Sequence, residues 1–242
     1  MLSSISGRHF AGHSQQLVTP VPTGVGLFYS LPNNSYPGTG STLYDLSGNG
    51  YNFPVTGTVY YNSTQPKSMG NGNYLNTMWG MAMPPGALLI ANNTTTNFDW
   101  WFHSPPGNWQ AYPWMMFSYK DVTTGDGVEI KLGGLNRLHL NSVTQSNSVE
   151  QTGPAYAIPI NAWKLMTLVV DRPYNDMVLY VNGVEAMRRR LIEPYRLTQM
   201  YLIIDMVHGW NGSFADFQIS YGPGGNSGAT KFAAEKAYYG IV

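Results

Sequence analysis

The chain has 242 residues, enough to bury a substantial apolar core, and no cysteine. A disulfide framework, a thiolate nucleophile and a cysteine-based zinc site are therefore excluded. Its 13 basic and 13 acidic residues cancel, and only 11% of positions are charged against about 25% in ordinary soluble domains, which argues against an electrostatically driven partner such as nucleic acid or an anionic membrane surface.

Residues 1–22 show no strand-length alternation and end in "VTPVPTG", whose prolines disfavour helix and remove backbone donors. They have no apolar core of the kind a secretory signal needs. The segment reads as an extended attachment arm, with Leu2, Ile5, Phe10, Leu17 and Val18 as anchors for a neighbouring subunit, ahead of one domain over 23–242. From Gly26 onward, short β-branched and aromatic runs alternate with Gly, Pro and Asn clusters: "GLFYSL", "NFPVTGTVYY", "NFDWWFHS", "PWMMFSYK", "GVEIKLGG", "RLHLNSV". Strands at such spacing indicate an all-β protein, an antiparallel jelly-roll β-sandwich.

Next come "WKLMTLVVD" and "DMVLYVNG", expected to be antiparallel neighbours, with "VEAMRRR" returning as a third strand after a type I′ turn at Asn182 and Gly183. Met177, Leu179 and Val181 fall on one side of the middle strand, Val178 and Tyr180 on the other, so it should be covered on both faces. "QMYLIIDM" and "SFADFQISY" add further strands, and "GATKFAAEKAYYGIV" supplies the one short helix. There Thr230 can cap, and Phe232, Ala233, Lys236, Ala237 and Tyr239 fall near helical spacing. The longest apolar run, "LMTLVV", is too short to cross a membrane, so no insertion is expected. The N-x-S/T triplets at Asn33, Asn62, Asn92, Asn93 and Asn211 read as ordinary loop residues.

Four pieces in this order resemble a known superfamily. "LYDLSGNGYNFPVTGTV" is similar to a "DxSGNGxx" turn, "NFDWWFHSP" to an early strand, the Trp163-to-"LYVNG" stretch to a "W-x-x-L…LYVNG" pattern, and "WNGSFADFQISYGPGGNSGATKFAAEKAYY" to a closing strand and helix. Together, over about residues 25–240, they resemble the laminin-G-like, concanavalin-A-like jelly rolls. The resemblance speaks to fold far more than to function, because one fold hosts many activities.

Hydrolytic members of that superfamily carry paired acids in an "ExDxxE" pattern, and glycoside hydrolysis needs two carboxylates about 5 to 9.5 Å apart. Here Asp121 and Asp126 lie in a predicted loop, Glu129 is alone on its strand, and Asp171 and Asp176 flank a corner, so no catalytic residue is assigned and a hydrolase is the weakest reading. His9, His13, His103, His139 and His208 have no zinc-binding spacing, and no GxSxG occurs. His139 reads as a strand residue facing solvent or bonded to a neighbour. The resemblance leaves calcium open, with Asp45, Asp121, Asp126 and Asp205 available, but they read better as turn residues, so no metal or other cofactor is assigned.

The aromatic segment "WWFHSPPGNWQAYPW" gathers Trp100, Trp101, Trp109, Tyr112 and Trp114 around a Pro/Gly loop. Aromatic planes take the apolar faces of sugar rings while amides bond hydroxyls, so Trp109 and Tyr112, with Trp210 and Asn211, form a candidate carbohydrate site. Trp101, Trp114 and Trp163 are expected in the core. Arg188, Arg189, Arg190 and Arg196 read as a solvated or locally paired strand, with Arg188 and Arg190 sharing a face. Two function classes follow. One is a non-enzymatic virion component, a bacteriophage appendage, decoration or fibre-associated jelly roll that contacts other virion subunits or itself and takes host-surface glycans. The other is an extracellular, exported lectin-like carbohydrate-binding module.

Overall fold

The computed structural model describes residues 25–30, 42–46, 49, 52–54, 60–62, 68–70, 78–82, 95–104, 114–121, 124, 126–133, 137–144, 147–153, 162–191, 200–205, 213–221 and 229–239. Two antiparallel sheets form the sandwich. The larger contains β1 (Val25–Ser30), β4 (Tyr60–Asn62), β5 (Ser68–Gly70), β7 (Thr95–Ser104), β12 (Ala162–Asp171), β13 (Asp176–Val181), β14 (Val184–Arg190) and β16 (Ser213–Tyr221). Its order is β14-β13-β12-β7-β16-β5-β4, and β1 also pairs with β16. The smaller sheet contains β6 (Met78–Ala82), β8 (Trp114–Asp121), β9 (Gly127–Gly133), β10 (Arg137–Thr144), β11 (Asn147–Thr152) and β15 (Met200–Asp205), ordered β11-β10-β9-β8-β15-β6. A separate pair, β2 (Thr42–Leu43) with β3 (Phe53–Pro54), lies between β1 and β4 in the chain, and among the described residues one helix, α1 (Ala229–Tyr239), follows the strands.

Strand alternation decides what goes between the sheets. On β7, Phe98, Trp100 and Phe102 are buried together with Phe217 and Ile219 of β16, and Ile130, Leu138 and Leu140 are buried on the smaller sheet. Trp100 and Phe217 sit with ring centroids 6.4 Å apart. Each such fully buried side chain contributes roughly 1.5–3 kcal/mol through loss of water contact. At one edge of the sandwich Gly153 donates its N–H to Leu138 O at 2.7 Å. A Cβ there would stand 3.3 Å from Leu138 O and 3.3 Å from Met187 Sδ, so a larger residue would have to displace these neighbours by a few tenths of an ångström.

The β12-β13-β14 meander follows the alternation closely, with β12 pairing β13 and β13 pairing β14 antiparallel. Asn182 (φ 53°) and Gly183 (φ 75°) both take the left-handed conformation that a type I′ turn demands. Asn182 also ties the turn to β12: its N–H donates to Leu165 O at 2.8 Å, and its Oδ1 accepts from Leu165 N–H at 3.0 Å. Met177, Val178 and Leu179 are all buried, so both faces of β13 are covered along that stretch.

Two expectations need correction. Trp163 is half-buried at the margin of the Trp101 cluster rather than fully inside the core, because it stands at the second position of β12, near the strand's start. Thr230 lies within α1 instead of capping it, and Ala233 and Ala237 face outward. The buried stripe of the helix is Lys231, Glu235 and Tyr239, four residues apart, so polar groups rather than alanines meet the sheet. The arm at 1–22, with Leu2, Ile5, Phe10, Leu17 and Val18, lies outside the described residues.

Candidate functional site

The outer side of the larger sheet carries Asn97, Asp99, Trp101 and His103 from β7, the residues that alternate with its core aromatics. In register beside them are Val169, Thr167, Leu165 and Trp163 of β12, and on the other flank Ser220, Gln218, Ala215 and Ser213 of β16. A register shift between Ala215 and Gln218, with Asp216 at φ 53°, makes room for the Asp216 carboxyl on this same side. Helix α1 lies over this surface.

Trp101, Leu165, Ala215 and Tyr239 form its apolar patch, with Trp163, Phe232 and Tyr238 packed at the margin. Trp101 stacks near Phe232 at 5.9 Å between centroids and meets the Tyr239 ring edge-on at 6.0 Å. Through this patch runs a buried polar network. Lys231 Nζ pairs with Asp99 Oδ2 at 2.8 Å, and Thr167 Oγ1 donates to Asp99 Oδ1. Trp101 Nε1 donates to Glu235 Oε2 at 2.8 Å. Tyr239 OH donates to Asp216 Oδ2 at 2.7 Å, and Gln218 Nε2 to Asp216 Oδ1 at 2.9 Å.

Burial pushes the Glu235 carboxyl up to about 8, assisted by the Asp216 charge and opposed by Lys231. Burial likewise raises Asp216, against the hydrogen bonds from Tyr239 and Gln218. For Lys231, burial acts downward but the Asp99 and Glu235 charges outweigh it, and the ammonium ends above its ordinary value. The Tyr239 phenol is raised by burial and then by the Asp216 charge. With Asp99 2%, Asp216 3% and Glu235 1% exposed, these carboxyls are buried between the helix and the sheet.

At one end of the same surface the cover is incomplete. His103 and Trp163, cross-strand partners in register, pack with ring centroids 5.3 Å apart and are both half-buried. Burial holds the His103 imidazole below its ordinary value, so it is neutral at pH 7 and can both donate and accept a hydrogen bond. Lys164 adjoins Trp163 in the chain; burial and then the Lys236 charge lower its ammonium. Lys236 Nζ stands 6.0 Å from the Phe232 ring centre. An aromatic face with hydrogen-bonding neighbours can stack a ring with apolar C–H and orient its hydroxyls.

Trp109, Tyr112, Trp210 and Asn211 lie outside the described residues. In sequence, however, Trp109 and Tyr112 follow the β7 end at Ser104, and Trp210 and Asn211 precede the β16 start at Ser213, which is in register with His103. Sequence reasoning missed His103 and Trp163 as a pair, because they stand near the end of β7 and the start of β12, strands far apart in sequence that only the register brings together. Trp100 and Trp101 are both buried on β7, one on each face, so neither belongs to a loop platform.

Elsewhere, Glu129 is the one acid on β9, and its Oε2 accepts from Lys131 Nζ at 3.2 Å and Asn141 Nδ2 at 3.3 Å. His139 Nδ1 lies 3.2 Å from Thr152 Oγ1. Arg188 bonds Glu185 and Asp176 at the surface, which accounts for part of the arginine run. Asp121 closes β8 and Asp205 closes β15, rather than lying in loops. Among the described residues no group of three His, Cys, Asp or Glu is arranged to hold a metal, and no helix is long and apolar enough to cross a membrane.

Neither a protein-family model nor a curated relative matches the sequence. Solved structures do match the fold. The botulinum neurotoxin type G receptor-binding domain is similar over 87% of this chain and 51% of its own, with TM-score 0.64 and 16% identity. The binding domain of Paraclostridial mosquitocidal protein 1 gives 87%, 52%, 0.67 and 14%, and that of botulinum neurotoxin serotype D gives 87%, 52%, 0.68 and 11%. A type C structure of this group is described by its dependence for cell entry on interaction with two ganglioside molecules. The chain thus spans about half the length of these binding-domain structures, and at such identities the likeness is one of fold.

Proposed function

We propose that this chain is a non-enzymatic recognition module of the laminin-G-like, concanavalin-A-like type, which binds a cell-surface glycan at the sheet end framed by His103 and Trp163. The observation that carries the reading is that half-buried, register-locked aromatic pair, a described place where a stacking face and a neutral imidazole stand together. Trp109, Tyr112, Trp210 and Asn211 join the site in this proposal because they flank the same strand ends in sequence. The description of the solved neighbours as binding domains, one of them by its ganglioside interaction, supports the class of function.

A glycan array probed with the full chain tests the proposal. Binding to a defined glycan set is expected, and Trp163→Ala or His103→Ala should weaken it by about tenfold or more while the melting temperature holds. Absence of glycan binding by the unaltered chain, or unchanged binding by both variants, overturns the site. No reducing ends should be released from bound polysaccharides.

The finer setting is a virion: an appendage or decoration protein, with the arm at 1–22 attaching it to other subunits or to itself. The cysteine-free, weakly charged composition favours this over an exported lectin-like module. Copurification with assembled particles, lost when residues 2–20 are deleted, is the expected result; a full-length chain that never accompanies particles sinks it.

A further inference from the structure

The network beneath α1 is unbalanced. Among the described residues, three carboxyls, Asp99 of β7, Asp216 of β16 and Glu235 of α1, feel the charge of one ammonium within the cluster, that of Lys231. Both oxygens of Asp99 and both of Asp216 are engaged by donors. Glu235 differs. Its Oε2 accepts from Trp101, but Oε1 is buried with no hydrogen-bond partner and faces Lys231 Nζ only at 3.7 Å. A second ionised carboxyl beside one lysine, cut off from water, is costly, and a bare carboxylate oxygen without a donor more so. The arrangement of lower free energy is a neutral carboxylic acid at Glu235, which removes the second buried negative charge.

The groups around Glu235 come from every packed element. Asp99 and, further along, His103 face it from β7; Asp216 from β16; Lys231, Lys236, Tyr238 and Tyr239 share its helix; β12 offers Thr167, Leu165 and Trp163 on this side, none of them charged, with Lys164 near Lys236. We propose that α1 is a proton-held clasp: it docks on the larger sheet with one carboxylic proton retained inside the Asp99–Asp216–Glu235 cluster, and lifts away when alkaline pH removes that proton.

The directions of titration agree. Glu235, Asp216, Lys231 and Tyr239 all hold protons more tightly in the docked state than in a solvated chain. A raised carboxyl gives stability that is full below its ordinary value of 4.5 and is lost as pH rises towards about 8. Lys231 and Tyr239 extend the loss in the same sense at higher pH. Undocking α1 also removes Phe232 and Tyr238 from the margin of the aromatic patch that Trp163 joins.

Amide hydrogen exchange on the full chain between about pH 6 and about pH 9, corrected for intrinsic exchange chemistry, reads the clasp directly. Protection of α1 amides should fall by about tenfold per pH unit up to about pH 8 and then level, while β12 and β13 amides hold. Glu235→Gln should flatten that slope and keep α1 protected at the alkaline end. Protection of α1 that does not change with pH, or a slope that survives Glu235→Gln, overturns the proposal. Should the glutamine variant fail to fold, infrared spectroscopy of the unaltered chain decides: a buried protonated carboxyl band near neutral pH, lost through about pH 8, supports the clasp, and its absence at neutral pH ends it.

Discussion

The two sides of the larger sheet are built from the same strands by opposite means. Between the sheets, Phe98, Trp100, Phe102, Phe217 and Ile219 exclude water by volume alone. On the other side, one residue away along β7 and β16, Asp99, Asp216 and Gln218 are as deeply buried but depend on named partners in α1 and β12. A dry layer tolerates any side chain of the right shape, whereas a polar layer fails when one partner is missing. The dry side holds the sandwich; the polar side fixes where the helix sits.

Substitutions on each side break this contrast differently. Trp100→Ala should cost most, about 3–5 kcal/mol in denaturant unfolding, because it opens a cavity in the dry layer. It should leave the alkaline loss of α1 protection in place. Asp99→Ala should come close, about 3 kcal/mol, since it removes the nearest partner of the Lys231 ammonium, leaving Glu235 at 3.7 Å, and strands the Thr167 hydroxyl beneath the helix; α1 should lose protection before β13 does. Tyr239→Phe removes only the bond to Asp216, for about 1–2 kcal/mol in thermal unfolding, and keeps the ring against Trp101. Arg188→Ala, at the solvated edge of the same sheet, should change stability by less than about 1 kcal/mol despite its bonds to Glu185 and Asp176. A loss from Arg188→Ala as large as that from Asp99→Ala would erase the distinction between buried and exposed pairing.

How far the sequence discloses this depends on the range of the interaction. The β12-β13-β14 meander is legible because its signals are local: alternation in "DMVLYV" and a turn at Asn182–Gly183 whose positive φ values only such residues adopt cheaply. The antiparallel jelly roll and the short C-terminal helix were also readable from strand spacing and composition. The helix face was not, since Lys231, Glu235 and Tyr239 look like a solvated stripe until Asp99 and Asp216, distant in sequence, are placed beneath them. A lone aspartate inside "NFDWWF" was the available hint, because a charge amid aromatics needs a partner. His103 and Trp163 were hidden for a related reason: a Trp at the head of an apolar run reads as core unless the strand's register puts it at the open end.

The position of β16 has a further meaning for synthesis. It is the last of the described strands in chain order, yet it lies inside the larger sheet, bonded to β7, to β5 and to β1. Strands β7, β12, β13 and β14 can pair as they emerge, but β1 and the β4-β5 pair have no place in that sheet until Ser213–Tyr221 has been made. Closure is therefore a late event between distant segments, slow by the ordinary dependence of folding rate on contact separation. Until it occurs the nascent protein carries an unpaired β7 edge, its aromatic face half-covered, and is at its most vulnerable to misassembly with a neighbouring chain.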